Sequence, residues 1–228
     1  MLNNLKQGLE KLANKEKAVI LQRFFKTRKG EYGYGDLFLG ITVPEQRRIA
    51  KRYSHLSLDD LQNLLSSKIH EYRLVALMIL IEKYKKEDKK EIINFYLRNT
   101  KNINNWDLVD LSSHKILGDY LLNKDKNLLY NLAKSNDLWE KRISIISTAC
   151  FIKNNKFEDT LRISEILLND KHDLIHKAVG WMLREVGKRN LKIEEDFLKK
   201  YYKKMPRTML RYAIEKFNKN KREFYLRG

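Results

Sequence analysis

A chain of 228 residues with 47 Lys and Arg against 29 Asp and Glu carries a formal net charge of +18. Its single cysteine, Cys150, excludes an internal disulfide and fits a reducing intracellular compartment. No apolar run approaches the roughly 20 residues of a membrane helix, and the N-terminal MLNNLKQGLEKL is too polar for a signal peptide. We therefore expect a soluble, cytoplasmic protein with no membrane partner.

The apolar spacing predicts helices along almost the whole chain. Leu2–Lys26 reads as helix with one break near Asn14, and the glycine-rich stretch TRKGEYGYGDLFLGIT reads as a loop. Pro44 suits the first turn of a helix that runs to Tyr53. The later predicted helices are Leu58–Ser66, His70–Tyr84, Asp88–Arg98, Trp106–Leu122, Asn127–Lys134, Leu138–Lys153, Phe157–Leu168, Leu174–Gly187, Glu194–Lys203, Thr208–Phe217 and Lys221–Leu226.

These helices come in pairs that recur about every 35 to 40 residues, which is near the period of HEAT and armadillo repeats. The segments HEYRLVALMILIEKY, DLWEKRISIISTACFI and HDLIHKAVGWMLREVGK each open with polar residues and then turn apolar. The pattern predicts an all-α fold in which antiparallel helix pairs stack into a HEAT/ARM-like solenoid with a basic concave face. We expect one domain over residues 1–228.

The positive charge is concentrated towards the end of the chain, where residues 171–228 hold seventeen basic and seven acidic residues. A surface this basic is typical of proteins that bind nucleic acid. The many Asn, Ile and Lys residues also fit the lysine-rich codon usage of an AT-rich genome. A protein-binding scaffold whose charge reflects only that composition is therefore a second interpretation.

The segment NNWDLVD opens one of the predicted helices, with Asn104 or Asn105 as its N-cap. Trp106 and Asp110 are four residues apart, so their side chains share one face. This pair can be a packed tryptophan beside a salt-bridged aspartate. It can equally be an aromatic wall with an anion set against a cationic ligand. We expect Asp107, in the first helical turn, to interact favourably with the helix dipole and to help cap the helix.

A second informative face lies on the helix KAVGWMLREVGK. Lys177, Trp181, Arg184 and Lys188 recur at i, i+4, i+7 and i+11 and form one stripe. Two readings of Trp181 stay open, a contact surface for a flat ligand or a half-buried ring covered by lysine stems. Arg142 occupies the equivalent place one repeat earlier, so a solenoid would place it in the same groove.

The motifs NNWDLVD, ILGDYLL, LWEKRI, KAVGWMLREVGK and PRTMLRYAIEKF resemble the DNA alkylation repair glycosylases of the AlkD type. The resemblance runs from FLGITVPEQRR to Phe217, in the order of that family. It implies a HEAT-like fold and the excision of cationic alkylated purines, such as N3-methyladenine and N7-methylguanine, from double-stranded DNA. It further implies that the damaged base is not flipped into a pocket, and that the protein is associated with the nucleoid when it acts.

Residue by residue, the resemblance gives Asp110 the role of catalytic carboxylate and places Trp106 and Trp181 on either side of the lesion. It gives Arg142 a contact to the DNA backbone, and Arg184 is the arginine of the GWxLRE segment. Some members have a tyrosine where this chain has Phe24 or Phe25, and their first loop is shorter than GEYGYGD. The DNA-binding residues that we expect are Arg142, Lys177, Arg184, Lys188, Arg207 and Arg211.

The expected chemistry needs few groups. An N-alkylated purine is already cationic, so the leaving base needs no proton, and one carboxylate stabilises the developing positive charge on the sugar and positions water. We expect no cofactor and no metal, since His172 and His176 have a ligand-like spacing but no third partner. We expect a monomer. The alternative within the same fold is a catalytically silent module that binds nucleic acid.

Overall fold

The computed structural model describes residues 1–227, and about 70% of the chain is helical. Within that range there is no β-strand, and the only β-pairing is an isolated bridge between Leu37 and Ile69. The all-α prediction is confirmed. The chain divides into two compact units, Met1–Ser112 and Ser113–Gly228.

The first unit, residues 1–112, contains six complete α-helices and most of a seventh, which ends one residue beyond Ser112. They are α1 (Leu2–Glu10), α2 (Lys15–Phe24), α3 (Val43–Arg52), α4 (Leu58–Leu65), α5 (His70–Tyr84), α6 (Lys89–Arg98) and α7 (Trp106–Ser113), with a 3₁₀ turn at Thr100–Asn102.

The second unit begins with a π-helical segment, His114–Gly118, that continues directly from α7. Its α-helices are α8 (Asp119–Leu121), α9 (Asn127–Ala133), α10 (Leu138–Ser147), α11 (Ala149–Lys153), α12 (Glu158–Ile166), α13 (Asp173–Arg189), α14 (Leu191–Tyr201), α15 (Arg207–Ala213) and α16 (Lys219–Arg227), with a 3₁₀ turn at Ile214–Lys216.

Polar side chains fix where the first helices start. The Asn14 side chain accepts a hydrogen bond from the Lys17 backbone N–H at 2.9 Å, so the predicted break near Asn14 is confirmed as the N-cap of α2. At the start of α3 the Glu45 carboxylate accepts from the backbone N–H and the hydroxyl of Thr42, at 3.0 and 2.6 Å. Pro44 lies in that first turn, where its missing N–H costs nothing.

Helix α5 is the centre of the first unit. It packs against α3, α4 and α6, and nearly all of its side chains are buried. Its first turn buries charged residues, and one of them, Glu71, accepts backbone hydrogen bonds from Leu39, Gly40 and Ile41 at 3.0, 2.8 and 3.3 Å. A buried carboxylate with several N–H donors fastens the glycine-rich loop to the core.

Gly40 shows why that loop needs glycine at its end. Its φ of +83° is a conformation that side chains disfavour, and a Cβ there would lie 2.2 Å from the Asn14 carbonyl oxygen. The loop prediction for this stretch is confirmed, and the loop is held on one side by Glu71 and on the other by the start of α2.

Helix α13 organises the second unit and packs against α10, α14 and α15. Gly180 allows the close contact with α15, because a Cβ on it would lie 2.4 Å from the Met209 carbonyl oxygen and 2.5 Å from Tyr212 Cβ. The residues of α13 that face its neighbours, such as Val179, Met182 and Leu183, are fully buried. The opposite face carries the stripe of basic residues and Trp181.

Consecutive helices pack as pairs within each unit, which confirms the helix-pair prediction. Examples are α4 with α5 in the first unit, and α9 with α10 and α13 with α14 in the second. Two predicted helices are subdivided: Trp106–Leu122 contains the π-helical segment, and Leu138–Lys153 is divided at Thr148, whose hydroxyl donates to the Ile145 carbonyl. The basic concave face and the single domain stay predictions.

Candidate functional site

The segment NNWDLVD forms the start of α7, as its pattern predicts. The Trp106 backbone N–H donates to the Asn105 side chain at 2.8 Å, which places Asn105 immediately before the helix. Leu108 and Val109 are fully buried and anchor α7 to the core, whereas Trp106 and Asp110 are only partly buried. The helix therefore presents an indole and a carboxylate, one turn apart, at the surface of the first unit.

The indole of Trp106 rests on two phenylalanines from the end of α2. The Phe25 ring is stacked on it, with ring centroids 5.2 Å apart and an interplanar angle of 16°. The Phe24 ring meets it edge-on, with centroids 5.8 Å apart. Phe25 is buried and Phe24 is 60% exposed. Phe24 or Phe25 is the residue that stands where some relatives have a tyrosine, and both rings contact Trp106.

Asp110 acts electrostatically on a buried tyrosine. Tyr96 is fully buried, and its hydroxyl is 3.0 Å from the Ser112 hydroxyl. Burial and, to a smaller extent, the charge of the Asp110 carboxylate raise the pKa of Tyr96, so this phenol stays protonated. The partly buried Asp110 carboxylate is thus close enough to this phenol for its charge to act on it.

Asp107 joins α7 to a buried polar network. Its Oδ1 accepts from the Leu108 backbone N–H at 2.9 Å, in keeping with the predicted place in the first turn. Its Oδ2 also lies 2.8 Å from Nε2 of His70, a contact that the sequence did not reveal. On its other side, His70 Nδ1 is 3.5 Å from Asp36, which is paired with Arg73 at 2.5 Å.

The charges in this network shift two pKa values. Burial of His70 opposes its protonation, but the Asp107 carboxylate and the hydrogen bond to Asp36 outweigh it and raise the His70 pKa to about 9. Burial likewise opposes ionisation of Asp36, but hydrogen bonding to His70 and the charge of Arg73 lower the pKa of that carboxyl. At neutral pH the network holds a protonated histidine between two carboxylates.

A cavity of about 280 Å³ lies beside these aromatic rings in the first unit. Its wall is mainly apolar and includes Phe24, Phe25 and Phe38, with His70 and Asp107 at one edge. Three apolar residues of this wall, Ile20, Phe24 and Val43, are exposed. The cavity therefore has an apolar, solvent-accessible margin that includes Phe24.

In the second unit, α13 carries the predicted stripe on one continuous helix. Glu185 connects part of it, since its carboxylate accepts from the Trp181 indole N–H at 3.1 Å and from Lys188 at 2.6 Å. Lys177 pairs with Asp173 at 2.7 Å. Trp181 is partly buried, and both interpretations of its ring stay predictions.

Three of the predicted arginines of the second unit have partners within the chain. Arg142 is buried and its guanidinium donates to the Leu174 carbonyl oxygen at 2.5 Å, which ties α10 to the first turn of α13. Arg184 is paired with Glu215. Arg207 is exposed and donates to the Leu226 carbonyl at 2.6 Å, and Arg211 is exposed.

The structure thus groups the predicted site residues by unit. Trp106 and Asp110 share α7 in the first unit, and the other predicted residues belong to the second, where α13 unites four of them: Lys177, Trp181, Arg184 and Lys188. Roles in catalysis and DNA contact stay predictions for all of them. The sequence did not predict His70 or Asp36, because His70 meets Asp107 of α7, and Asp36 meets His70, from segments that are distant in the chain. The stacking of Phe25 on Trp106 was not predicted either.

Residues 1–227 contain no group of three His, Cys, Asp or Glu side chains placed to hold a metal ion. In the same range, no helix has both the length and the apolar character needed to cross a lipid bilayer.

Comparison with known proteins places the chain among repair proteins. The model of the DNA alkylation repair enzyme family matches residues 5–217. A solved structure described as a predicted DNA alkylation repair enzyme from Enterococcus faecalis has a TM-score of 0.72 and 18% identity, covering 91% of this chain and 97% of that one. AlkD2 from Streptococcus mutans has a TM-score of 0.57 and 17% identity, covering 90% and 99%.

One curated protein is also similar in sequence. It is the mitochondrial ATPase synthesis protein 25 of Vanderwaltozyma polyspora, 24% identical over 198 residues. The match covers 85% of this chain but spans only 28% of the length of that relative.

Proposed function

Because the chain belongs to the DNA alkylation repair enzyme family, we propose that it is a DNA glycosylase that excises positively charged N-alkylated purines, N3-methyladenine and N7-methylguanine, from duplex DNA. The observation that carries this proposal is the pairing of Trp106 and Asp110 one turn apart at the surface of α7. An indole face and a carboxylate are the two groups that attract a sugar carrying positive charge.

The proposed reaction is hydrolysis of the glycosidic bond. The alkylated base leaves with the bonding electron pair, which neutralises its positive charge, and the deoxyribose becomes oxocarbenium-like. The Asp110 carboxylate stabilises that cation and orients the water that adds to C1′, while the indole of Trp106 faces the sugar. Each aromatic face contributes about 0.5–2 kcal/mol to a nearby cation.

Selectivity in this proposal follows from charge and not from the shape of a pocket. A neutral base would need a proton before it could leave, and the proposed mechanism contains no general acid. A cationic base needs none, so it can be released while it stays stacked in the duplex. Base flipping is therefore unnecessary, in contrast to glycosylases that must extrude their target.

Duplex binding in this proposal comes from the cationic residues of the second unit. Lys177 and Lys188 flank Trp181 on α13, and Arg207 and Arg211 lie on α15. Arg142 now binds a backbone carbonyl and Arg184 a carboxylate. Each arginine either exchanges that partner for a DNA phosphate or keeps it and holds α13 in place while other residues contact the DNA. Binding through phosphates weakens steeply as salt concentration rises.

The test is release of free base from methylated duplex DNA, measured by mass spectrometry under single-turnover conditions. We expect release of N7-methylguanine and N3-methyladenine, and no release of the neutral lesion O6-methylguanine from the same DNA. Release of the neutral base at a comparable rate would contradict the charge-based selectivity. Release of no base at all would contradict the proposed activity.

A catalytically silent module that binds nucleic acid is the second candidate. The engagement of Arg142 by a backbone carbonyl and of Arg184 by Glu215 favours it, because both arginines are already satisfied within the chain. The presence of Phe24 or Phe25 in place of a tyrosine points the same way. Tight, salt-dependent binding to duplex DNA without release of any alkylated base would select this candidate.

A further inference from the structure

His70 occupies an unusual place in the first unit, because a polar network and an aromatic stack both pass through its ring. It is the first residue of α5 and is only 2% exposed. Nε2 lies 2.8 Å from Asp107 on α7, and Nδ1 lies 3.5 Å from Asp36 in the glycine-rich loop. Asp36 is held in turn by Arg73, one turn further along α5.

The same imidazole belongs to a stack of aromatic rings that ends at the proposed site. It lies over Phe38, with ring centroids 4.6 Å apart and an interplanar angle of 19°, and it contacts Phe25 with centroids 5.0 Å apart. Phe25 stacks on Trp106. His70 therefore reaches the first turn of α7 by two routes, through the Asp107 carboxylate and through Phe25.

The protonation state of His70 decides how many of these contacts exist at once. A protonated imidazolium donates from both ring nitrogens and satisfies Asp36 and Asp107 together. A neutral imidazole donates from one nitrogen only, so one carboxylate then faces a lone pair. Burial opposes the charged form, but the two carboxylates raise the His70 pKa to about 9, so both contacts are made at neutral pH.

The arrangement of partners points to α7 as the element that responds. Asp36 has a second cation, Arg73, whose guanidinium lies 2.5 Å from its carboxylate and 3.5 Å from His70 Nδ1. Asp107 has no comparable second cation in the network, and its other bond is to the backbone of its own helix. When the imidazolium loses its charge, Asp107 therefore keeps at most a hydrogen bond from a neutral Nε2–H and loses its ion pair, whereas Asp36 still has Arg73.

We propose that His70 is a positioning residue that, when protonated, fixes the first turn of α7 so that Trp106 and Asp110 face the sugar of the damaged nucleotide. This inference rests on the proposed function for its link to base release, but the coupling of His70 to Trp106 is a property of the free protein. The charged groups that face the ring are Asp107 from α7, Asp36 from the loop and Arg73 from α5. Lys17 and Glu71 line the neighbouring cavity.

The first experiment needs no activity. The pKa of His70 is measured by NMR titration of the imidazole, and the indole N–H signal of Trp106 is followed over the same range, with Trp139→Phe and Trp181→Phe used for assignment. We expect the Trp106 signal to move with the midpoint of His70 in the wild type and to show no such step in His70→Gln. The proposal would be overturned if the chemical shift of the Trp106 indole N–H did not change over the pH range in which His70 titrates.

The second experiment measures the single-turnover rate of N7-methylguanine release from pH 7 to 10. His55→Gln is the matched control, because His55 is an exposed histidine of the same unit. Dividing each rate by that of the control at the same pH removes the titration of the substrate itself. For the wild type, we expect the ratio of its rate to that of His55→Gln to stay constant from pH 7 to 10, because both proteins keep His70.

Asp107→Asn removes the carboxylate that does most to keep His70 protonated. We expect the base-release rate of Asp107→Asn, divided by that of the control, to decrease as pH rises. The midpoint of this decrease should lie at least about one pH unit below the midpoint of the His70 titration in the wild type. Asp36→Asn removes the carboxylate that faces the other ring nitrogen. It should also move the decrease in rate to lower pH, but by less than Asp107→Asn does. In His70→Gln the rate should be reduced at least about 10-fold at pH 7.5 through kcat, with little change in KM.

The outcomes separate the two proposals. If the wild type releases no base, the proposed glycosylase fails, and the NMR titration alone decides whether His70 positions Trp106. If release occurs but the profile of Asp107→Asn superimposes on that of the wild type, the positioning role is overturned while the glycosylase stands. Should His70→Gln fail to fold, the wild-type titration and the Asp107→Asn profile still give the answer.

Discussion

The Phe25 ring lies parallel to the indole of Trp106, with 5.2 Å between their centroids. Phe25 is almost fully buried, whereas Trp106 is only partly so. The residue that supports the indole is therefore fixed in the core, and the indole takes its orientation from it. The same phenylalanine also contacts His70 and Phe38, so one side chain joins the proposed site to the interior of the first unit.

Phe25→Leu removes this stack while keeping an apolar side chain. We expect it to lower the free energy of unfolding by about 1–2 kcal/mol, because a buried aromatic pair and some volume are lost. Phe24→Leu is the matched control, since Phe24 is 60% exposed, and it should cost less than about 0.5 kcal/mol. Urea denaturation of the three proteins makes the comparison, and equal losses in both variants would contradict the supporting role of Phe25.

The buried histidine predicts a specific dependence of stability on pH. His70 has a pKa of about 9 in the folded protein against an ordinary value of 6.5, so the folded state binds more protons between these pH values. Its contribution to stability is fully present below about pH 6.5 and is lost as pH rises through about 9. The free energy of unfolding should therefore fall over this window.

His70→Gln removes that contribution. The stability difference between wild type and variant should be largest at pH 6 and should shrink by about 2–3 kcal/mol by pH 10. Denaturant titrations of both proteins at the two pH values measure it. A difference that is the same at pH 6 and pH 10 would show that His70 does not hold its proton in the folded state.

A second buried acid, Glu194 in α14, predicts an effect in the second unit. It is 2% exposed, and its Oε1 has no hydrogen-bond partner among the described residues. Burial and the nearby charge of Glu195 raise the pKa of Glu194 to about 8, with Arg184 acting in the opposite direction. The folded state keeps this proton, so stability is lost as pH rises from about 4.5 through about 8.

Glu194→Gln supplies a neutral side chain of nearly the same shape. At pH 9 it should be more stable than the wild type by about 1–3 kcal/mol, and at pH 4 the two should be nearly equal. Glu165→Gln, an exposed glutamate of the same unit, is the control and should change little at either pH. A Glu194→Gln variant that is less stable at pH 9 would contradict the raised pKa.

The contact between α13 and α15 predicts the effect of a single methyl group. Gly180→Ala places a Cβ within 2.5 Å of Met209 and Tyr212, so the helices must separate, at a cost of about 1–3 kcal/mol. Gly8→Ala in α1 is the control, because its Cβ would meet only Ile49 at 3.6 Å and alanine favours the helix. Thermal unfolding should show a loss in the first variant and none in the second.

Local sequence was sufficient to predict the features that depend on neighbouring residues. The cap at Asn14, the start of α3 near Pro44 and the stripe on α13 all follow from spacing within one helix, and the structure has each of them. The start of α7 at Trp106 is a further example. Such features are set by hydrogen bonds and side-chain faces a few residues apart.

Other features depend on residues that the fold brings together from distant positions. His70 and Asp107 are 37 residues apart in the chain, and no sequence motif contains both of them. At Gly118, the last residue of the π-helical segment, a Cβ would lie 2.3 Å from the Ser147 carbonyl oxygen, so the close approach of α10 requires glycine there. No pattern within a single helix carries such information, which is why the capping role of Asp107 was predicted and its ion pair with His70 was not.

The measurement that tests the central claim most directly compares Asp110→Asn with the wild type in single-turnover release of N7-methylguanine from methylated duplex DNA. Asp59→Asn, an exposed aspartate of the same unit, serves as the matched control. If the Asp110 carboxylate stabilises the cationic sugar, its neutral amide should release base about 100-fold more slowly, while Asp59→Asn keeps the wild-type rate. Equal rates for Asp110→Asn and the wild type would contradict the account.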